Sequence, residues 1–244
     1  MPDLTYHPSD TLELKAYLAV PRGDGPWPGV VVIMDALGLS DDIRQQAELL
    51  AAAGYLAFAP DLYSGRGPKC VVATVKASRT GTGEAYEQIE AARQWLAARA
   101  DCTGRIGIVG FCMGGGFALL SAPRYDFQVA SVNYGEVPDD AVQRLAGACP
   151  IVASYGKRDP VLRGRATKLE SALQALGIPH DVKEYTNAGH GFMNRISPEL
   201  NPVLKFVGLN YHHPSAEDSW RRILSFFDAH LRPGSSAADP PQPN

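Results

Sequence analysis

Three residues that could act together in covalent catalysis stand in the order cysteine, aspartate, histidine along the chain. Cys112 lies in the motif Gly-Phe-Cys-Met-Gly-Gly, Asp159 follows Lys-Arg, and His190 lies in Ala-Gly-His-Gly-Phe. A thiolate can attack a carbonyl carbon, an imidazole can move the protons of that reaction, and a carboxylate can hold the imidazole in one tautomer. We therefore interpret Cys112, Asp159 and His190 as a candidate catalytic triad.

The sequence around Cys112 predicts a sharp turn between a strand and a helix. An apolar run, 105–110, precedes the cysteine, and glycines follow it. Side chains at Gly110 and Gly114 would clash where such a strand and helix pack closely, and the turn itself strains the backbone. The positive end of the helix favours a thiolate and offers N–H groups to an oxyanion. Taken alone, the motif could also hold a buried, inert cysteine.

The elements around these residues alternate between strands and helices, which predicts a mostly parallel sheet with helices on both faces. The first 20 residues predict one or two antiparallel strands at a sheet edge. Further strands are predicted over residues 29–34, 55–59, 105–110, 129–134, 150–155 and 180–185. Helices are predicted after Cys112 and over residues 40–53, 84–100, 139–145, 165–176 and 216–231.

Other stretches are less regular. Residues 70–81 show no clear pattern, and residues 197–214 are candidates to cover the site. The proline-rich stretch 233–244 is predicted to be a disordered tail after one domain over 1–232.

The predicted sheet brings the three candidate residues together. Cys112, Asp159 and His190 each lie just past the C-terminal end of a predicted strand. Ligands of parallel α/β sheets bind beyond those ends. Alone, Asp159 could be an ordinary turn aspartate and His190 a loop histidine. Their joint occurrence, in this order and at strand ends, favours catalysis.

Composition narrows the class of protein. The chain has 244 residues, 45% of them hydrophobic and 20% charged, with a net charge of −3, which is typical of a globular domain. It has no basic run that would favour nucleic acid and no apolar stretch long enough to span a membrane. The N-terminal sequence lacks a signal-peptide pattern, so a cytoplasmic location is expected. The four cysteines have no spacing typical of a zinc site or a disulfide framework.

Several motifs together resemble the dienelactone hydrolase family. They are Val30–Ile33, Ala51–Tyr55, Ala59–Tyr63, Gly110–Gly115 and Ala188–Phe192. The resemblance runs from about residue 10 to 231. It implies an α/β-hydrolase fold, with a mostly parallel central sheet of about 7–8 strands, in which the triad has this chain order. It also implies that an ester or lactone is hydrolysed through a cysteine thioester, with no metal and no organic cofactor.

An oxyanion hole should come from two backbone N–H groups. One belongs to Met113, directly after the candidate nucleophile, and the other to the loop after the 29–34 strand, at Ala36.

The sequence departs from the family pattern at positions that contact substrate or nucleophile. Family members commonly carry His-Glu where this chain has Met34-Asp35. Asp35 could keep the glutamate's role of pairing with the resting cysteine, or could orient the loop. The prototype enzyme grips a substrate carboxylate with arginines, one of them at the position of Asn194. Arg195 and Arg66 are the candidates here, and each could equally be a solvated loop charge.

Tyr134, at a strand end, is a candidate to line the pocket, with core packing as its alternative.

The leading hypothesis is a cofactor-independent hydrolase of small carboxylic esters or lactones, working as a monomer or homodimer. A non-catalytic binding scaffold and an acyltransferase with the same nucleophile are the alternatives.

Overall fold

The predicted strands join one mixed β-sheet in the computed structural model, which describes residues 3–9, 12–195 and 210–232. The strands in chain order are β1 (Asp3–Ser9), β2 (Leu12–Ala19), β3 (Trp27–Ile33), β4 (Leu56–Pro60), β5 (Cys102–Phe111), β6 (Val129–Asn133), β7 (Ile151–Gly156) and β8 (His180–Tyr185). Their order across the sheet is β1-β2-β4-β3-β5-β6-β7-β8. β1 and β2 pair antiparallel at one edge and β3 to β8 run parallel, as predicted.

The helices lie on both faces of this sheet. They are α1 (Asp41–Ala52), α2 (Pro68–Thr80), α3 (Glu84–Ala97), α4 (Met113–Ser121), α5 (Ala141–Arg144), α6 (Arg165–Leu176) and α7 (His213–Leu231). Ile106 of β5 packs toward α3, whereas its neighbour Gly107 faces Phe227 and Leu231 of α7. Successive strand residues point to opposite faces, so α3 and α7 cover opposite sides. None of the helices in the described ranges is long and apolar enough to cross a membrane.

The central strand β3 is buried on both faces, as the sequence predicts. Residues 30–34 are fully buried, because helices cover both faces of β3 and every side chain of the β-branched run meets protein. At the end of β3 the chain turns through 35–38 before Ser40 caps α1 by accepting a hydrogen bond from Ile43 N–H.

The structure adds one helix to the predicted elements and moves several boundaries. Residues 70–80, in a stretch that its pattern left unassigned, belong to α2, which begins at Pro68 and ends at Thr80. α3 ends at Ala97 instead of residue 100, and α7 begins at His213 instead of residue 216. Residues 197–209, which are most of the expected cover over 197–214, and the predicted tail 233–244 lie outside the described residues.

Candidate active site

The structure brings the three candidate residues into contact beyond the C-terminal ends of β5, β7 and β8. His190 Nε2 lies 3.1 Å from the sulfur of Cys112. His190 Nδ1 lies 2.6 Å from Oδ2 of Asp159. This is the geometry in which an imidazole can exchange a proton with a thiol while a carboxylate fixes its tautomer.

Cys112 stands on a strained turn between β5 and α4. Its backbone has φ of 54° and ψ of −115°, a conformation that residues other than glycine seldom adopt. A Cβ at Gly110 would lie 1.9 Å from the carbonyl oxygen of Gly114, and a Cβ at Gly114 would lie 2.3 Å from that of Ile33. The predicted clash at both glycines is therefore confirmed, and the turn depends on both being glycine.

We expect Gly110→Ala to lower the free energy of unfolding by roughly 3 kcal/mol or more, since the added methyl group meets backbone that cannot move aside. Urea denaturation followed by circular dichroism measures the change. Gly116→Ala is the comparison variant and should lose much less stability. Its Cβ would lie 3.1 Å from the backbone oxygen of Ser78, which would have to move by only a few tenths of an ångström, and alanine is favoured over glycine in a helix by about 1 kcal/mol. Equal stability of the two variants would contradict the close packing at the turn.

Asp159 is held so that one oxygen faces the histidine. Its side chain is 1% exposed, and its Oδ1 accepts hydrogen bonds from the N–H groups of Val161 at 2.8 Å and Leu162 at 3.1 Å. Burial opposes ionisation, but the hydrogen bond to His190 and the two amides outweigh it, so the pKa of Asp159 lies below its usual value. The group next to His190 Nδ1 is therefore a carboxylate.

The charges around His190 favour its protonated form. Burial alone would lower its pKa, but the contacts with Asp159 and Cys112 raise the pKa of His190 from 6.5 to about 10. An imidazolium 3.1 Å from the sulfur stabilises a thiolate by direct charge interaction. Cys112 therefore has a charged proton donor in direct contact with its sulfur.

Two backbone amides flank the nucleophile. Ala36 and Met113 both line the cavity that contains Cys112 and His190. Among the described residues, neither N–H group has a protein acceptor. The N–H of Met113 belongs to the first turn of α4, where the helix leaves its donors unpaired. Neither N–H is occupied by another acceptor within the described ranges, and the oxyanion hole at Ala36 and Met113 stays a prediction.

Asp35 holds the loop that carries Ala36. Its Oδ1 accepts from Leu37 N–H at 2.8 Å, and its Oδ2 accepts from the side-chain amide of Asn194 at 3.1 Å. Burial and the neighbouring Asp42 raise the pKa of Asp35 to about 6, against the Leu37 amide and the charge of His190, which lower it. Of the two roles considered for Asp35, these contacts fit orientation of the loop.

The cavity over Cys112 is small and has a volume of about 170 Å³. Tyr134 lines it and also packs in the core: its side chain is 1% exposed and its ring lies edge-on to that of His190, with centroids 5.4 Å apart. Arg79 of α2 and Glu136 also line the cavity. Glu136 pairs with Arg165 at 2.7 Å, whereas Arg79 forms no ion pair with any described residue. The sequence does not predict Arg79 as a site residue, because its segment shows no helical pattern.

The other candidate arginines do not reach this cavity. The guanidinium of Arg66 pairs with Glu84 at 2.8 Å and donates to the carbonyl of Leu62. Arg195 stacks on Tyr211, with 4.9 Å between its Cζ and the ring centroid, and lines a separate groove between α1 and α7. The structure thus gives no support to substrate binding by Arg66 or Arg195.

Metal ligands are not clustered in the part of the chain that the structure describes. Residues 3–9, 12–195 and 210–232 contain no group of three or more histidine, cysteine, aspartate or glutamate side chains that could hold a metal ion. The four cysteines are all unpaired.

Comparison with known proteins gives one consistent answer. The sequence profile described as the dienelactone hydrolase family matches residues 14–231. A carboxymethylenebutenolidase from Rhodococcus opacus is 27% identical over 236 residues, which cover 90% of this chain and 88% of that protein. A relative from Escherichia coli (strain K12), provisionally given the same name, is 29% identical, with 90% and 84% of the two chains covered.

Solved structures share the fold. A protein from Klebsiella pneumoniae, provisionally described as a dienelactone hydrolase, is 26% identical with a TM-score of 0.75, over 93% of this chain and 99% of the other. A dienelactone hydrolase-like promiscuous phosphotriesterase from metagenomic libraries is 22% identical with a TM-score of 0.76, over 94% and 97% of the two chains. The second likeness concerns the fold alone, and both support the predicted α/β-hydrolase architecture.

Proposed function

This chain belongs to the dienelactone hydrolase family, and we propose that it hydrolyses small carboxylic esters or lactones through a thioester on Cys112. The observation that carries the proposal is the contact chain from Cys112 sulfur to His190, 3.1 Å, and from His190 to Asp159, 2.6 Å. It supplies the nucleophile, the proton carrier and the orienting carboxylate in one place. A non-catalytic scaffold would have no need of this arrangement.

Acylation begins with the thiolate of Cys112, which attacks the carbonyl carbon of the substrate. A carbon–sulfur bond forms and the carbonyl electron pair moves to oxygen, where the N–H groups of Ala36 and Met113 stabilise the negative charge. When the intermediate collapses, the bond to the leaving oxygen breaks. That oxygen takes the proton from His190 Nε2, so the leaving group departs as a neutral hydroxyl and a thioester remains.

Deacylation uses the same groups in reverse. Neutral His190 takes a proton from a water molecule as the water oxygen attacks the thioester carbonyl carbon. The second oxyanion collapses, the carbon–sulfur bond breaks, and the thiolate leaves beside the imidazolium that Asp159 stabilises. The acid product departs and the starting charge state is restored, which requires no metal or organic cofactor.

The cavity supports a small substrate. Its volume of about 170 Å³ equals the share of roughly six liquid water molecules. Val75, Val161 and Leu162 supply apolar walls, and Arg79, which forms no ion pair within the described part of the chain, lines the same cavity. A small acyl group fits these walls, and a carboxylate on the substrate would meet Arg79. The name carboxymethylenebutenolidase, carried by the relatives, denotes a lactone hydrolase of this kind.

The wider setting follows from the same chemistry. The partner is a small-molecule ester or lactone, and the monomer or homodimer predicted from the sequence stays a prediction. We place the protein in the cytoplasm, because a compartment that keeps thiols reduced suits four unpaired cysteines, one of them the nucleophile.

Intact-mass spectrometry after brief mixing with nitrophenyl esters and lactones tests the proposal. We expect the wild type to gain the mass of one acyl group, and Cys112→Ala to gain none, because the thioester needs the sulfur. Pairs of neutral and carboxylate-bearing esters of equal size should rank the acyl groups that the cavity accepts.

Two results would count against the proposal. Adducts of equal amount on both proteins would place the nucleophile elsewhere. Hydrolysis of the esters by Cys112→Ala at the wild-type rate, without an adduct, would exclude the thioester.

A further inference from the structure

A buried polar cluster lies behind the catalytic histidine and is centred on Asn194. The Asn194 side chain is 3% exposed, and its amide nitrogen donates to Asp35 Oδ2 at 3.1 Å and to Asp42 Oδ2 at 2.7 Å. Its amide oxygen accepts a hydrogen bond from the hydroxyl of Tyr134. Both N–H groups of the amide and one of the two lone pairs of its oxygen are therefore used within the protein.

Each partner of Asn194 belongs to a different part of the fold. Asp35 lies in the loop after β3, Asp42 in the first turn of α1, and Tyr134 directly after β6. Asn194 itself lies four residues after His190, and Asp42 also accepts a hydrogen bond from the N–H of Arg195 at 2.7 Å. A single amide group thus links the histidine loop to the loop of Ala36.

Asp35 transmits this link to the oxyanion donor. Residues 35–38 form a tight turn, closed by Gly38 N–H donating to the carbonyl of Asp35 at 3.1 Å. The Asp35 carboxylate also accepts from Leu37 N–H at 2.8 Å. The N–H of Ala36 and the carbonyl of Asp35 belong to one peptide unit, and the Ala36 carbonyl accepts from the Tyr63 hydroxyl at 3.2 Å. The direction of the Ala36 N–H is therefore set by this turn, which the Asp35 side chain helps to hold.

We propose that Asn194 is a positioning residue, which fixes the N–H of Ala36 relative to Cys112 and His190 through its hydrogen bond to Asp35. The inference rests on the proposed function, in which Ala36 N–H stabilises the oxyanion. Asn194 acts on the transition state and has no part in holding the substrate, because its side chain does not line the cavity.

The reaction of Cys112 with iodoacetamide separates this role from general support of the site. Alkylation displaces iodide from a saturated carbon, needs the thiolate and forms no oxyanion. Ester hydrolysis needs the same thiolate and the oxyanion hole as well. Loss of Asn194 should therefore slow hydrolysis while the alkylation of Cys112 stays near its wild-type rate.

The experiment compares Asn194→Ala with the wild type and with Asn187→Ala. Asn187 is an exposed asparagine in the same loop, and its Oδ1 accepts from Arg158 at 3.2 Å. For Asn194→Ala we expect kcat for a nitrophenyl ester to fall by about 10-fold to 100-fold, less than the roughly 10²-fold to 10³-fold loss when an oxyanion donor is removed, because the Ala36 N–H is misdirected and still present. KM should change less than threefold and the alkylation rate less than twofold. Asn187→Ala should match the wild type in all three.

Three outcomes would overturn the inference. A parallel fall of kcat and alkylation rate would make Asn194 a general support of the nucleophile. A raised KM with unchanged kcat would make it a substrate contact, and unchanged kinetics would leave it no role in the reaction. None of these results resembles failure of the proposed function, which would show as retained hydrolysis by Cys112→Ala.

Further variants keep the test decisive if Asn194→Ala does not fold. Tyr134→Phe removes the hydroxyl that holds the Asn194 oxygen and retains the ring, and Asp35→Ala removes the transmitting carboxylate. Each variant should lower kcat and keep the alkylation rate of Cys112 within twofold of the wild-type rate. A fall in the alkylation rate that parallels the fall in kcat would overturn the inference. Where all variants fold, Asp35→Ala combined with Asn194→Ala should lose at most twofold more than the stronger single variant, because the two side chains act in series.

Discussion

Replacing Cys112 with alanine is expected to lower kcat/KM for an activated ester by at least about 10³-fold. Without the sulfur no thioester can form, and water would have to attack the ester directly. His190, Asp159 and the N–H groups of Ala36 and Met113 remain, so a residual rate above that of the uncatalysed reaction is expected. Steady-state hydrolysis of nitrophenyl acetate measures the effect.

Cys102→Ala is the matched control. Cys102 begins the same strand, β5, whose far end presents Cys112, and it is likewise partly buried. Its removal should leave kcat/KM within about twofold of the wild type, since Cys102 lies at the N-terminal end of β5 and Cys112 lies beyond the other end. If Cys112→Ala keeps more than a tenth of the wild-type kcat/KM, the nucleophile has been assigned to the wrong residue.

The parts of the site that follow from local sequence could be predicted. The turn at Cys112 needs no side chain at Gly110 or Gly114, and the structure shows why, with carbonyl oxygens where each Cβ would lie. The positions of Asp159 and His190 follow from topology, because parallel strands end at one edge of the sheet. Apolar runs located those strand ends to within one or two residues.

The helix α2 could not be predicted because its buried face is not apolar. The residues it buries are Thr74, Ala77 and Ser78, whereas Val72 is 68% exposed. A helix is predicted from apolar residues at helical spacing, and the segment of α2 has no such pattern. Pro68 at the start and Gly81 at the end were available as boundary signals. Arg79, which this helix brings to the cavity, was missed for the same reason.

Long-range polar contacts were also beyond the sequence. Asn194 hydrogen bonds to Asp35 and Asp42, 159 and 152 residues away, and no spacing rule links such positions. The resemblance directed attention to residue 194 as a missing substrate arginine. The structure shows instead a buried amide that hydrogen bonds to Asp35, Asp42 and Tyr134. The two candidate arginines have other contacts. Arg66 pairs with Glu84, and Arg195 stacks on Tyr211.

Replacing Asp159 with asparagine should lower kcat by about 10³-fold to 10⁴-fold, and KM should not rise. Asparagine fits the space of the aspartate, but its amide nitrogen can donate to His190 Nδ1 and so favour the tautomer protonated at Nε2 when the ring is neutral. In deacylation Nε2 of His190 must accept a proton from water. It cannot do so in the tautomer in which Nε2 already carries a proton. Single-turnover acylation and steady-state hydrolysis, measured together, should show the larger loss in deacylation. Asp126→Asn, at an exposed aspartate just before β6, should keep the wild-type kcat.

The same substitution should change how the protein responds to pH. Folding raises the pKa of His190 from 6.5 to about 10, so the imidazolium stabilises the folded state fully below pH 6.5 and this contribution is lost as the pH rises toward 10. Without the Asp159 carboxylate the pKa of His190 should fall. NMR titration of labelled histidine measures it directly. Urea unfolding from pH 6 to 10 should then show a smaller loss of stability in the variant than in the wild type. An unchanged His190 titration in Asp159→Asn would mean that the carboxylate does not stabilise the imidazolium, and the role given to Asp159 would be wrong.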